Sequence, residues 1–148
     1  MKNKELKPLF VERMKKLLQK NFPAYLEILE KEPVKSIRCN LLKINPNFLK
    51  ESLEKKGWKI KQPFKEYPEI MIIENEFLPG ELGRSLEHLL GYYYVQEIAS
   101  MLPVIALKPK LHEIILDLCA SPGSKTTQIA AEMKNSGTLI ANEIDLGR

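Results

Sequence analysis

Cysteine and histidine are scarce in this sequence, which contains two of each. Cys39 and Cys119 lie 80 positions apart, and no CxxC or HxxxH spacing occurs. This scarcity excludes a disulfide framework and a zinc-type ligand cluster, so we expect no metal and a reducing, cytoplasmic environment. Long apolar runs are also missing. Because residues 1–20 are basic but amphipathic, we expect neither a signal peptide nor a membrane span.

The composition is that of a globular protein, with 44% hydrophobic and 28% charged residues among 148. Lys and Arg number 23 against 19 Asp and Glu, which gives a formal charge of +4. A mild positive charge permits a polyanionic partner such as RNA without requiring one.

Residues 1–108 are expected to form an N-terminal helical and RNA-recognition-like region. Apolar residues recur at helical spacing over 8–31, and Pro23 favours two helices over one. The patterns that follow predict strands at 35–44, 58–61 and 70–73, and helical segments at 46–56, 82–90 and 93–107. Strand, helix, strand, strand, helix is most of a ferredoxin-like α+β unit, which RNA-recognition modules also use.

Residues 109–148 have a different pattern. A continuous apolar run at 112–119 is typical of a strand buried on both faces of a parallel sheet. A helix at 124–134 and a second strand at 138–142 complete a βαβ unit. Two strands cannot cover both of their own faces, so we expect the chain to be a piece of something longer, whether a truncated reading frame, one part of a split gene or an expressed fragment.

The loop at 117–126, DLCASPGSKT, joins the end of the first buried strand to a helix start. Ligands bind at this edge of open α/β sheets, and small residues let them approach the backbone and the helix amides. A phosphate-binding P-loop is excluded because Cys119 and Ser124 replace its two glycines. The dinucleotide fingerprint is excluded because the loop has one glycine.

Glu143 directly follows the second strand, 18 residues beyond Lys125. A carboxylate about 20 residues beyond such a loop accepts hydrogen bonds from the ribose hydroxyls of a nucleotide cofactor. The alternative is an ordinary surface glutamate at a strand end.

Three sequence elements in this order resemble the NOL1/NOP2/Sun family of RNA 5-methylcytosine methyltransferases. They are the loop at 117–126, the segment GYYYVQEIASMLP at 91–103, and Arg38-Cys39-Asn40 followed by Leu41-Leu42-Lys43. The archaeal tRNA-modifying and bacterial rRNA-modifying branches look most similar.

The resemblance implies that 109–148 begin a Rossmann-like methyltransferase domain that binds S-adenosylmethionine and acts on tRNA or rRNA. Glu143 would accept hydrogen bonds from the ribose hydroxyls, and Lys125 would lie near the methionine carboxylate. Asp117 would lie beneath the methionine amino group, although bracing of the loop is an equal alternative. The methionine part would be held by Cys119, Ala120, Ser121, Pro122, Gly123, Ser124 and Lys125.

Family chemistry needs a cysteine thiolate that adds to cytosine C6 and so activates C5. The resemblance places this nucleophile and a second cysteine in later Pro-Cys motifs. No Pro-Cys pair occurs here, and Cys39 is typical of core filling. We therefore expect the chain to be inactive alone, and a second chain is one possible source of the missing part. The alternatives are a non-catalytic RNA-binding module and one half of a split methyltransferase.

RNA contacts are predicted for Arg38, Asn40 and Lys43, whose alternation would place them on one face of a strand. A solvated strand face is the alternative. The run Tyr92–Tyr94 offers a stacking surface for bases, but helical spacing favours a core position for most of it.

Overall fold

The computed structural model describes residues 6–78, 80–145 and 147. The chain divides into two compact units, Met1–Pro33 and Val34–Arg148. The first contains helices α1 (Pro8–Leu18) and α2 (Phe22–Glu30), joined by a 3-10 turn. Pro23 lies in the first turn of α2, where its missing N–H costs no hydrogen bond. The predicted pair of helices is confirmed, and the boundary predicted near residue 108 stays a prediction.

An antiparallel sheet organises the first part of the second unit. Its strands lie in the order β2-β3-β1-β4, and every neighbouring pair is antiparallel. Three helical segments accompany the sheet, so this part of the chain is α+β, as predicted. The elements are β1 (Ser36–Cys39), α3 (Pro46–Glu54), β2 (Ile60–Lys61), β3 (Ile70–Ile73), a 3-10 turn (Glu81–Arg84), α4 (Leu86–Leu89) and β4 (Tyr93–Val95).

Helix α3 covers one face of this sheet. The Asn45 side chain accepts a hydrogen bond of 2.9 Å from the Asn47 amide, and Pro46 occupies the first helical turn, so the sequence starts the helix with a cap. The apolar side of α3 then meets alternate residues of the strands. The resulting core contains Ile37, Cys39, Leu49, Leu53, Met71, Ile73 and Tyr93.

The prediction of helix over 93–107 is wrong at its start. Tyr93–Val95 form strand β4, because their backbone pairs with β1 and the Tyr93 ring fills the sheet core. Helix α5 begins at Ile98 and continues to Leu107 with Pro103 inside it. Proline removes one hydrogen bond to the carbonyl four residues earlier, and here that loss does not end the helix.

The last elements form a parallel βαβ unit, as predicted. Strand β5 (Ile114–Asp117), helix α6 (Ser124–Glu132) and strand β6 (Thr138–Ala141) follow one another, with Asp117 beside Ala141. Helices α5 and α6 pack on this pair through Val104, Ile129 and Met133. The strands themselves are only partly covered in the described chain.

Most of the exposed positions on these two strands are apolar. Ile114 is 77% exposed and Leu116 is 54% exposed. Within the described residues, no helix is long and apolar enough to cross a bilayer. Nor do any three His, Cys, Asp or Glu side chains of the described ranges converge as metal ligands would.

Candidate functional site

The loop between β5 and α6 is tied to the end of β6. The Ala120 amide donates to the Asn142 carbonyl at 2.9 Å, and the Asn142 amide donates to the Asp117 carbonyl at 2.8 Å. Gly123 precedes α6 at φ +100°, a conformation that favours glycine. The loop is therefore a closed turn at the carboxyl edge of the parallel strands.

The Asp117 carboxylate stabilises this turn through two hydrogen bonds. Its Oδ1 accepts a hydrogen bond of 3.2 Å from the Cys119 amide, and its Oδ2 accepts one of 2.6 Å from the Thr126 hydroxyl. One carboxylate thus holds both ends of the loop. These contacts fit the bracing alternative, whereas a water-mediated role toward a cofactor stays a prediction.

Glu143 lies against the loop. Its Oε2 accepts a hydrogen bond of 3.1 Å from the Ser121 amide, across 22 residues of sequence. Its Oε1 accepts from the amides of Ile144 and Asp145 at 3.1 and 3.2 Å. The structure therefore brings the predicted carboxylate and the predicted loop together, and the carboxylate is oriented by the backbone on both sides.

The Lys125 side chain extends toward helix α5 and contacts it. Its Nζ donates to the Ser100 hydroxyl at 3.1 Å. The side chain lines a cavity of about 350 Å³ together with Asp117, Cys119 and Ile129. An ammonium group is thus positioned beside the loop, while Cys119 is exposed within it.

The segment 91–103 supports the loop, a role that we did not assign from the sequence. The Tyr94 hydroxyl donates to the Pro122 carbonyl at 3.1 Å. Gln96 Nε2 donates to Gln128 Oε1 at 3.2 Å, and Gln128 Nε2 donates to the Met101 carbonyl at 3.3 Å. The joint occurrence of this segment with the loop motif was the available signal for such contacts.

Arg38 is 4% exposed and joins β1 to α6. Its Nη1 donates to Gln96 Oε1 at 2.5 Å and to the Ser124 carbonyl at 2.6 Å, and its Nη2 donates to the Thr127 hydroxyl at 2.8 Å. The guanidinium also lies 5.6 Å from the centre of the Tyr94 ring. Burial lowers the pKa of Arg38 to about 10, so the group remains cationic at neutral pH.

Asn40 and Lys43 lie beyond the strand, because β1 ends at Cys39. The expected single strand face of Arg38, Asn40 and Lys43 is therefore not formed. Asn40 Nδ2 donates to the Gly91 carbonyl at 2.9 Å, and Lys43 Nζ donates to the Leu90 carbonyl at 2.8 Å. All three predicted RNA-contacting residues nevertheless line one cavity of about 320 Å³.

Cys39 is a core residue, as expected. It is 1% exposed, and burial raises the pKa of its thiol to about 12, with the nearby Glu69 carboxylate acting in the same direction. A thiol with so high a pKa is neutral at physiological pH and is a poor nucleophile.

Comparison with known proteins agrees with this arrangement. A family model described as the N-terminal domain of 16S rRNA methyltransferase RsmF matches residues 6–98, and one described as 16S rRNA methyltransferase RsmB/F matches 104–148. Ribosomal RNA small subunit methyltransferase F of Vibrio campbellii is 40% identical over 143 residues, and that of Psychromonas ingrahamii is 39% identical over 145. Each match covers 94% of this chain and 30% of the relative, so the chain spans about 30% of the length of these relatives.

Solved structures give the same result. A methyltransferase homolog protein from Pyrococcus horikoshii superposes with a TM-score of 0.82 at 34% identity, covering 97% of this chain and 46% of that one. NSun6 from Pyrococcus horikoshii, solved with SFG, shares the fold with a TM-score of 0.81 at 21% identity. The match covers 99% of this chain and 60% of the NSun6 chain. On these grounds the chain belongs to the RsmF family of 16S rRNA methyltransferases, within the NOL1/NOP2/Sun family that its motifs resemble.

Proposed function

We propose that this chain provides the RNA-contacting front part and the first cofactor contacts of an S-adenosylmethionine-dependent rRNA cytosine-C5 methyltransferase. The contact between the Glu143 carboxylate and the Ser121 amide is the observation that carries the proposal. It joins an acidic residue after the second parallel strand to the loop after the first, the arrangement in which α/β folds hold a nucleoside.

The proposed architecture follows from the two sheets. The order β2-β3-β1-β4 with antiparallel neighbours supports a ferredoxin-like, RNA-recognition-like region. The parallel pair β5 and β6 joined by α6 supports the start of a Rossmann-like domain.

The residues of the loop fit S-adenosylmethionine. Small side chains leave its backbone approachable, and an anionic and a cationic group flank it at Glu143 and Lys125. We assign Glu143 to the ribose hydroxyls and Lys125 to the methionine carboxylate, with the backbone of 119–125 around the methionine part. The bound cofactor would supply an electrophilic methyl group. The family models, which are described as 16S rRNA methyltransferases, support a methyl-donating cofactor.

Ribosomal RNA is the proposed substrate because the curated relatives are named for it. We place one RNA contact at the mouth of the cavity lined by Asn40 and Lys43, where an exposed ammonium group can meet a phosphate. A ribosomal RNA substrate supports a cytoplasmic location for the protein. Because the sequence contains no Pro-Cys pair, we assign the nucleophilic cysteine to a segment outside these 148 residues, in the same protein or in a partner chain.

Isothermal titration with S-adenosylmethionine and with a small-subunit rRNA fragment tests the proposal. We expect a dissociation constant for the cofactor above about 1 μM, because a pocket that lacks part of its wall is poorly preorganised. No methyl transfer is expected from the chain alone. Binding of RNA without any binding of cofactor would favour the non-catalytic RNA-binding module, and a sub-micromolar cofactor affinity would contradict the partial pocket. A transfer RNA competitor distinguishes the two RNA classes.

A further inference from the structure

We propose that Arg38 is a positioning residue that fixes the start of helix α6, and with it the cofactor loop, from the antiparallel sheet. The proposal rests on the function proposed above for that loop. It also assigns the N-terminal sheet a second task besides RNA contact, because part of the loop's support would come from strand β1.

The Arg38 guanidinium lies on the face of the sheet opposite the α3 core. All four residues of β1 are buried, with Ile37 and Cys39 facing the core beneath α3. Ser36 and Arg38 therefore point to the opposite face of the sheet. On that face the Ser36 hydroxyl donates to the Gln96 carbonyl at 2.7 Å, and Arg38 extends toward α6.

Arg38 binds the first turn of helix α6. Two of its three donated bonds end on α6, at the Ser124 carbonyl and the Thr127 hydroxyl, across 86 and 89 residues of sequence. Thr127 in turn donates to the Gly123 carbonyl at 2.7 Å. A planar cationic donor thus binds the first residue of the helix directly, through a short charge-assisted bond, and reaches the preceding loop residue only through the Thr127 hydroxyl.

Further hydrogen bonds surround these contacts of Arg38. Arg38 shares Gln96 with Gln128, and the Tyr94 hydroxyl holds the Pro122 carbonyl. These contacts link β1 and β4 to the loop and to α6, and the bond from Gln128 Nε2 to the Met101 carbonyl links α5 to α6. In the described chain the two terminal nitrogens of the Arg38 guanidinium are hydrogen-bonded, whereas its buried Nε has no hydrogen-bond partner. The bonds of the terminal nitrogens restrain the start of α6 and the adjoining loop.

Charge explains why arginine is needed at this position. Buried cations are costly unless they are paired or fully hydrogen-bonded. Here burial is the largest effect and lowers the pKa of Arg38, while coulombic interactions with Tyr94, Glu132 and Glu69 act in the opposite direction. Lysine would keep the charge but not the forked geometry that reaches Gln96, Ser124 and Thr127 together.

The experiment compares Arg38→Met, Arg38→Lys and Thr127→Val with the control Ser52→Ala. Ser52 donates to Glu87 at 2.9 Å in a separate polar cluster of the same unit, so its loss perturbs the fold away from the loop. Amide hydrogen exchange by NMR is measured for Thr127 and Gln128 and for the central strand β3. Cofactor affinity and thermal midpoint are measured on the same samples.

We expect at least ~10-fold faster exchange at Thr127 and Gln128 in Arg38→Met than in the control, after normalisation to β3, and a similar loss of cofactor affinity. Arg38→Lys should recover only part of either loss, and Thr127→Val should reproduce the effect if Arg38→Met does not fold. Equal normalised exchange in variant and control, or full recovery with lysine, would overturn the proposal. If the unaltered chain binds no cofactor, the proposed function fails, but the exchange comparison still decides the positioning role.

Discussion

The Glu143 carboxylate and the Ser121 amide are joined by a hydrogen bond of 3.1 Å that connects the ends of two parallel strands. Substitution Glu143→Gln keeps the shape of the side chain and removes its charge. We expect cofactor binding to weaken ~10-fold or more, because hydrogen bonds to a charged acceptor contribute about 1.5–3 kcal/mol. Isothermal titration measures the change.

The matched control for that prediction is Glu113→Gln at the opposite end of β5, where the carboxylate accepts from the Lys110 amide. The affinity of the Glu113→Gln variant for S-adenosylmethionine should stay within twofold of that of the unaltered chain. Equal affinities for the two variants would exclude Glu143 from the cofactor site.

Thr126→Val should destabilise the chain by about 1 kcal/mol, because it removes the hydroxyl that donates to Asp117 and leaves the carboxylate with one fewer partner. Urea denaturation measures the free energy of unfolding. Thr138→Val is the control, since Thr138 is exposed in strand β6. A Thr126→Val variant as stable as this control would show that the brace contributes nothing.

Gly137→Ala should be more disruptive than Gly57→Ala. Both glycines have positive φ, at +113° and +86°, so an alanine strains the backbone at each by about 1 kcal/mol or more. At Gly137, however, the added Cβ would lie 2.5 Å from the Glu113 carbonyl oxygen, whereas at Gly57 nothing lies within 4 Å. Thermal midpoints that fall equally in the two variants would contradict the close packing of the turn before β6.

The two thiols should differ sharply in reactivity. Cys119 is exposed, whereas Cys39 is buried and its pKa is raised from 9.0 to about 12. A thiol reagent should therefore modify one cysteine in the native chain and two after unfolding. Rapid native modification of Cys39 would contradict its core position.

The raised pKa of Cys39 also implies that the free energy of unfolding depends on pH. Its folded pKa exceeds the unfolded value, so its contribution to stability is complete below pH 9 and declines as the pH rises toward 12. Urea denaturation at pH 8 and pH 10.5 should show a decrease in the free energy of unfolding that is smaller in Cys39→Ala.

Local patterns predicted much of the fold. The apolar run at Ile70–Ile73 is strand β3, and the apolar run at 112–119 contains strand β5 of the βαβ unit. Strand Tyr93–Val95 was missed because its identity depends on pairing with β1, more than 50 residues earlier. Propensity over a short window contains no information about such a partner.

The site was predictable to a similar extent. Motif and spacing led to the loop and to Glu143, which the structure brings together. The contacts of Arg38 with α6 span 86 and 89 residues and depend on how the two sheets pack. From the sequence alone a charged residue in a short strand is equally suited to a solvent-facing role, so the buried position of Arg38 required the tertiary structure.

Titration of the isotopically labelled chain with S-adenosylmethionine, followed by amide NMR, tests the central claim most directly. Saturable shifts should be concentrated at 117–126 and 142–145. In Glu143→Gln the midpoint of this titration should move to ~10-fold or higher ligand concentration, whereas Glu113→Gln should leave it unchanged. Shifts elsewhere in the chain alone, or none at millimolar ligand, would contradict the assignment of this loop to the cofactor.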